Sequence, residues 1–145
     1  AMILFHTNQT NINISNRRAI KSWIGDLLQK YGKTPGEIGI IFCTSEYMLD
    51  LNKRFLKHDN YTDVITFNYS DNKEKRMSGD IFIDHETVFY NAARFGQEKH
   101  VEILRVIAHG LLHMLGYDDD TEESRDNMHR LEDNALKEIQ INPLG

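Results

Sequence analysis

The chain has a single cysteine, no apolar run of membrane-spanning length, no excess of basic over acidic residues, and no repeat, linker or low-complexity tract. Each absence excludes something. Cys43 alone cannot form an internal disulfide, so folding owes nothing to an oxidising compartment, and the expected location is the reduced cytoplasm. A membrane helix needs roughly 20 consecutive apolar residues; no segment approaches that, so no membrane partner is expected. The opening "AMILFHTNQT" has neither the basic stretch nor the long apolar core of a secretory leader. Lys and Arg number 17 against 22 Asp and Glu, a net charge of −5. That balance argues against coating nucleic acid by bulk electrostatics and leaves room only for a local basic groove. At 145 residues the chain has the size of one ordinary domain, able to bury a core without staples or a partner. A single domain over residues 1–145, monomeric, is expected.

Periodicity gives the elements. "MILFH" and "INI" are short β-rich pieces around a polar loop, read as the opening strand. Ser15 or Asn16 then caps a helix with Ala19, Ile20, Trp23, Ile24, Leu27 and Leu28 at helical spacing. "EIGIIFCT" (37–44) is apolar and β-branched enough for a buried strand. Ser45 is a plausible N-cap for a helix through "EYMLDLNKRF". "DVITFNY" (63–69) and "SGDIFIDH" (78–85) read as antiparallel neighbours joined by a charged loop, and from Glu86 onward the pattern is helical. The order predicts an α+β fold: a mixed sheet of about four strands packed with about five helices, the histidine-bearing helix central.

That helix carries the chemistry. Between Val101 and Leu115 apolar residues surround nearly the whole circumference, yet His109 and His113 sit inside the wall. Residues at i and i+4 share a face with Cβ atoms about 5 to 6 Å apart, so two imidazoles can converge on one ion. The alternative is a pair of hydrogen-bonded core histidines, but each buried polar nitrogen then needs its own partner. Gly110 in a helix interior costs roughly 1 kcal/mol relative to Ala, which implies a tight backbone approach there. Gly116 supplies a helix stop, after which Asp119, six residues beyond His113, can swing back as a third ligand and leave a fourth place open. Asp118 and Asp120 have the competing role of caps, with Asp120 or Thr121 heading the last helix. Zinc peptidases place a glutamate base directly after their first histidine; Gly110 stands there, so peptide hydrolysis of that type lacks its base.

"HGLLHMLGYDD" resembles the H-G-x-L-H-L-x-G-Y-D-H signature of the YbeY family, bacterial metal-dependent endoribonucleases specific for single strands. "LNKRFLKHDNYTDVITF" (51–67) and "GDIFI" (79–83) are similar to two further motifs of that family, and the resemblance covers nearly all of the chain. It implies cleavage of single-stranded RNA in ribosomal RNA maturation (16S rRNA 3′-end processing) and ribosome quality control. The implied partners are ribosomal RNA, the small ribosomal subunit and its assembly factors. The implied cofactor is one Zn²⁺ per chain held by His109, His113 and Asp119.

Two positions depart from the family pattern. The third histidine ligand falls on Asp119, whose carboxylate shifts preference toward harder ions, so Mn²⁺ and Mg²⁺ stand as alternatives. The arginine after the aromatic residue falls on Leu56, which cannot clamp a phosphate; Lys53 is the first substitute, with Lys57 and His58 behind it. The candidate catalytic residues are therefore His109, Asp118 and Lys53. Asp118 and Asp80 are the carboxylates to test as proton acceptors or as orienters of a ligand histidine, although Asp80 also suits a role tethering its strand. Loop residues His58, Tyr61, Lys73, Lys75 and Arg76 supply the stacking and phosphate-holding groups expected beside a single strand. Two other readings compete: a metallohydrolase of amides or esters, and a non-catalytic ribosome-associated module whose ion is structural.

Overall fold

A computed structural model of the chain describes residues 2–56, 62–71 and 73–145. Lys57, His58 and Tyr61 lie outside the described residues. The elements run β1 (Met2–Asn8), α1 (Arg17–Lys30), β2 (Thr34–Cys43), α2 (Ser45–Leu51) with a π-helical turn over Asn52–Leu56, β3 (Val64–Asn68), β4 (Arg76–Asp84), α3 (His85–Arg94), α4 (Lys99–Met114) and α5 (Glu122–Leu136). Among the described residues four strands form one sheet in the order β1-β2-β4-β3, with β1 and β4 parallel to β2 and β3 antiparallel to β4. The α+β architecture is as the element order predicts.

The central strands are central because they are apolar on both faces. Ile38, Ile40 and Phe42 of β2 and Ile81 and Ile83 of β4 join one large core with Trp23, Ile24 and Leu28 of α1 and Ile103, Ile107 and Leu111 of α4. On the opposite face Cys43 and Ile65 meet Met48 and Leu51 of α2 in a much smaller cluster. Register ties the faces together: Ile40 pairs with Ile81, which pairs with Thr66. The indole of Trp23 donates to the carbonyl of Ala135 at 2.9 Å, fastening α5 to α1. Among the described residues no helix is long and apolar enough to cross a membrane.

Some boundaries differ from the sequence expectation. Residues 12–14 are not a strand; Ile14 is buried and Ile12 packs against the large core, so their apolarity serves as a lid on the core edge. Asn16 heads α1 in a left-handed conformation (φ 58°) without a side-chain cap, its amide instead donating to the carbonyl of Asn142 at 2.8 Å. Thr44, not Ser45, caps α2, its hydroxyl accepting from the backbone of Tyr47 at 3.1 Å. Ser45 is thereby freed to donate to the buried carboxylate of Asp84, which also caps α3 through the backbone N–H of Thr87.

Candidate metal centre

Helix α4 lies between the sheet and α5, which explains its nearly continuous apolar wall. Gly110 is the contact point: a Cβ there would meet Ile81 Cγ2 at 2.7 Å, so only glycine lets the helix press this closely onto β4. With Gly110 seated on β4, its two neighbouring histidines, at i−1 and i+3, lie on the flank of the helix, where they meet Glu132 of α5 and Asp119 of the loop that precedes it.

The helix ends in a reversal that returns the chain to those histidines. Tyr117 N–H donates to Leu112 carbonyl and Gly116 N–H to His113 carbonyl, both at 3.0 Å, with Gly116 at φ 103°. This is the glycine-dependent pair of hydrogen bonds that closes many helices. The Asn68 amide of β3 satisfies the Met114 carbonyl at 3.0 Å. Thr121 then opens α5 in a capping box with Ser124. Of the two residues expected to head this helix it is Thr121 that caps it; Asp120, one position earlier, accepts among the described residues only from the Ser124 hydroxyl at 3.5 Å.

Asp119 comes back between the imidazoles. Its carboxylate oxygens lie 3.4 Å from His109 Nε2 and 3.4 Å from His113 Nε2, while the two Nε2 atoms are 3.0 Å apart. Bonds of about 2.0–2.1 Å at tetrahedral angles put neighbouring donors about 3.3 Å apart. All three separations sit near that edge length, with the Asp119 carboxylate presenting Oδ2 to His109 and Oδ1 to His113, and one donor atom from each of the three residues can be chosen within 4.8 Å of the others, a set able to hold one divalent ion.

Behind the donors stands a carboxylate that spacing did not indicate. Glu132 of α5 is buried, and its Oε2 lies 2.6 Å from His109 Nδ1. A proton on Nδ1 shared with Glu132 leaves the Nε2 lone pair facing Asp119, which is the tautomer a metal ligand requires. Glu132 is itself held by Arg105, whose guanidinium reaches Glu132 at 3.3 Å, Asp133 at 2.9 Å and Glu102 at 3.4 Å. Burial alone would push the His109 pKa down, but the Glu132 hydrogen bond and the charges of Glu132, Asp119 and Asp63 outweigh it and hold the pKa above its ordinary value. Asp63, just ahead of β3, faces the same space; burial raises its carboxyl, opposed by a bond to its own backbone and by His109. Together these groups line a cleft of about 290 Å³ along α5.

The sequence-derived candidates divide accordingly. His109, His113 and Asp119 converge. Asp118 is exposed at the turn, and neither it nor Lys53, exposed on the π-helical turn, is among the residues lining the cleft. Asp80 accepts from the Tyr69 hydroxyl at 2.9 Å and lines a separate groove with Met2 and Leu4. Glu132 had one legible signal: it falls in the buried stripe Met128, Glu132, Ala135 of an otherwise polar helix. A charge on an apolar stripe needs a partner.

Fold and site define a class, an α+β domain whose central helix presents two histidines and a trailing carboxylate able to hold a metal. Residues 3–140 match the family described as Endoribonuclease YbeY. The chain belongs to that family. It is 39% identical over 134 residues to the Endoribonuclease YbeY of Bacteroides thetaiotaomicron, covering 92% of this chain and 96% of that one. It is 39% identical over 140 residues to that of Phocaeicola vulgatus (97% and 100%) and 40% over 134 residues to that of Cytophaga hutchinsonii (92% and 93%). The solution structure of TM1509 from Thermotoga maritima shares the fold, with TM-score 0.62 and 22% identity over 94% of this chain and 91% of that one.

Proposed function

We propose that the chain is a metal-dependent, single-strand-specific endoribonuclease acting in ribosomal RNA maturation, with one zinc ion held by His109, His113 and Asp119. The observation that carries this reading is the convergence of two imidazole Nε2 atoms 3.0 Å apart with the Asp119 carboxylate, one oxygen of which lies 3.4 Å from each imidazole, backed by a buried carboxylate on the far nitrogen of His109. Family membership supplies the reaction class, scission of an RNA phosphodiester. A divalent ion, when bound, supplies Lewis-acid polarisation and a lowered water pKa. The protein's part is orientation: Glu132 holds the Nδ1 proton of His109, Arg105 holds Glu132, and the Gly116 turn delivers Asp119. Asp118, exposed beside the third ligand, is assigned to proton transfer with solvent, and Lys53 to the RNA backbone outside the cleft. A carboxylate ligand keeps Mn²⁺ and Mg²⁺ as alternatives to zinc. Processing of the 3′ end of 16S rRNA, work with the small ribosomal subunit and its assembly factors, and a cytoplasmic location complete the proposal. An amide hydrolase of the helical zinc type is disfavoured, because the position of its glutamate base is Gly110, where any side chain meets Ile81.

The test is cleavage of single-stranded against double-stranded RNA by wild type and by His113→Ala, with metal content measured on both. The expected result is single-strand cleavage by the wild type, and a folded mutant that has lost metal and activity together. Undiminished cleavage by a metal-free His113→Ala would overturn the proposal.

A further inference from the structure

The cleft beside the donor triangle holds an uneven set of charges. Asp63, Asp119 and Glu132 contribute three carboxylates, and Arg105 and Arg125 two guanidiniums. Arg105 is consumed: it sits among Glu102, Glu132 and Asp133 at 2.9 to 3.4 Å. Arg125, one turn into α5, is different. Its backbone N–H is tied to Thr121, but its guanidinium makes no hydrogen bond and no ion pair among the described residues, and it stands exposed at the cleft wall. A phosphodiester entering a cleft with three carboxylates meets repulsion that one committed arginine does not relieve. An uncommitted guanidinium, with parallel N–H donors matched to two phosphate oxygens, relieves it with direction as well as charge. Leu56 contributes no charge to such a contact.

We infer that Arg125 is the phosphate-binding residue of this cleft, gripping a backbone phosphate of single-stranded RNA beside the His109 and Asp119 donors. The inference rests on the RNA-cleaving reading above and adds to it the residue that positions the substrate. Because Arg125 is exposed and its guanidinium has no partner among the described residues, its replacement leaves the fold and the metal donors in place.

The experiment is the affinity of the purified protein for a fluorescent single-stranded 2′-O-methyl oligoribonucleotide, which binds without being cut, over a series of salt concentrations. Wild type, Arg125→Ala and Arg125→Lys are compared, with metal content and RNA cleavage measured on the same preparations. Loss of one charge-assisted contact predicts roughly ten- to hundredfold weaker binding for Arg125→Ala. The slope of log affinity against log salt should fall by about 0.7, the increment for one phosphate of a single strand. Metal content should not change. Arg125→Lys should restore the salt slope and most of the affinity but not kcat, since lysine keeps the charge and loses the fork. Wild-type affinity and slope in Arg125→Ala, with metal retained, would overturn the assignment and leave the endoribonuclease reading standing. A wild type that binds through Arg125 and never cleaves RNA would do the reverse. A wild type that does not bind the oligonucleotide would overturn the assignment.

Discussion

The two faces of the sheet are built to different standards. On the α4 face, α1, α3, α4 and α5 share one large core with the two central strands, and the buried Glu132 carboxylate is fully engaged: it meets His109, Arg105 and, at 3.5 Å, His129. On the α2 face a short helix and its π-helical turn cover a small cluster around Cys43, Met48, Leu51 and Ile65, and Phe55 lies exposed against Phe67. The metal donors sit on the first face. Donor atoms must be held to fractions of an ångström, and a helix pinned on several sides does this where a thinly covered one does not.

The largest effect that would break this comparison is Gly110→Val. With Ile81 already 2.7 Å from a bare Cβ, the helix must lift off β4, and the protein should fail to fold or lose more than about 3 kcal/mol in denaturant titration. Near-wild-type stability would mean that the close approach is dispensable. Next come truncations on the two faces. Ile107→Ala should lie toward the top of the roughly 2–5 kcal/mol range for such changes and Met48→Ala toward the bottom, and equal costs would contradict the difference drawn here.

Glu132→Gln sharpens the comparison at the site. Metal affinity measured by chelator competition should fall roughly 10- to 100-fold, because the amide no longer accepts the His109 proton with full charge. An unchanged affinity would reduce Glu132 to a packing partner. On the opposite face Cys43 reports opening: burial first, then Asp84 and Glu86, push its thiol up to about 12, so labelling at neutral pH is slow and rises with pH. Met48→Ala should speed that labelling more than Ile107→Ala does. The smallest effect concerns His85, whose pKa burial holds below the ordinary 6.5 against Glu86 and Asp84. The unfolded chain then binds its proton first, so this contribution to stability is lost as pH falls through 6.5, and His85→Gln should flatten the acid side of the stability curve slightly.

What could be read from the sequence was local. His109, His113, Gly110 and Gly116 announced themselves within eight residues, and Asp119 followed from the length of the turn. The order of elements followed from period. What escaped were contacts between distant positions. Glu132 lies 23 residues from His109, and no spacing rule links them. Arg125 and Asp63 reach the cleft from different elements for the same reason. The shift of the α2 cap from Ser45 to Thr44 was below the resolution of propensity, since adjacent hydroxyls cap equally well until Asp84 claims one of them.

The most direct test is the metal-to-protein ratio of protein purified without chelator or added metal, for wild type and Asp119→Ala side by side. The account predicts close to one transition metal ion per wild-type chain and a sharply reduced ratio in the mutant. An Asp119→Ala protein that keeps its metal in full, or a wild type that carries none, would contradict the two-histidine, one-aspartate centre on which the function rests.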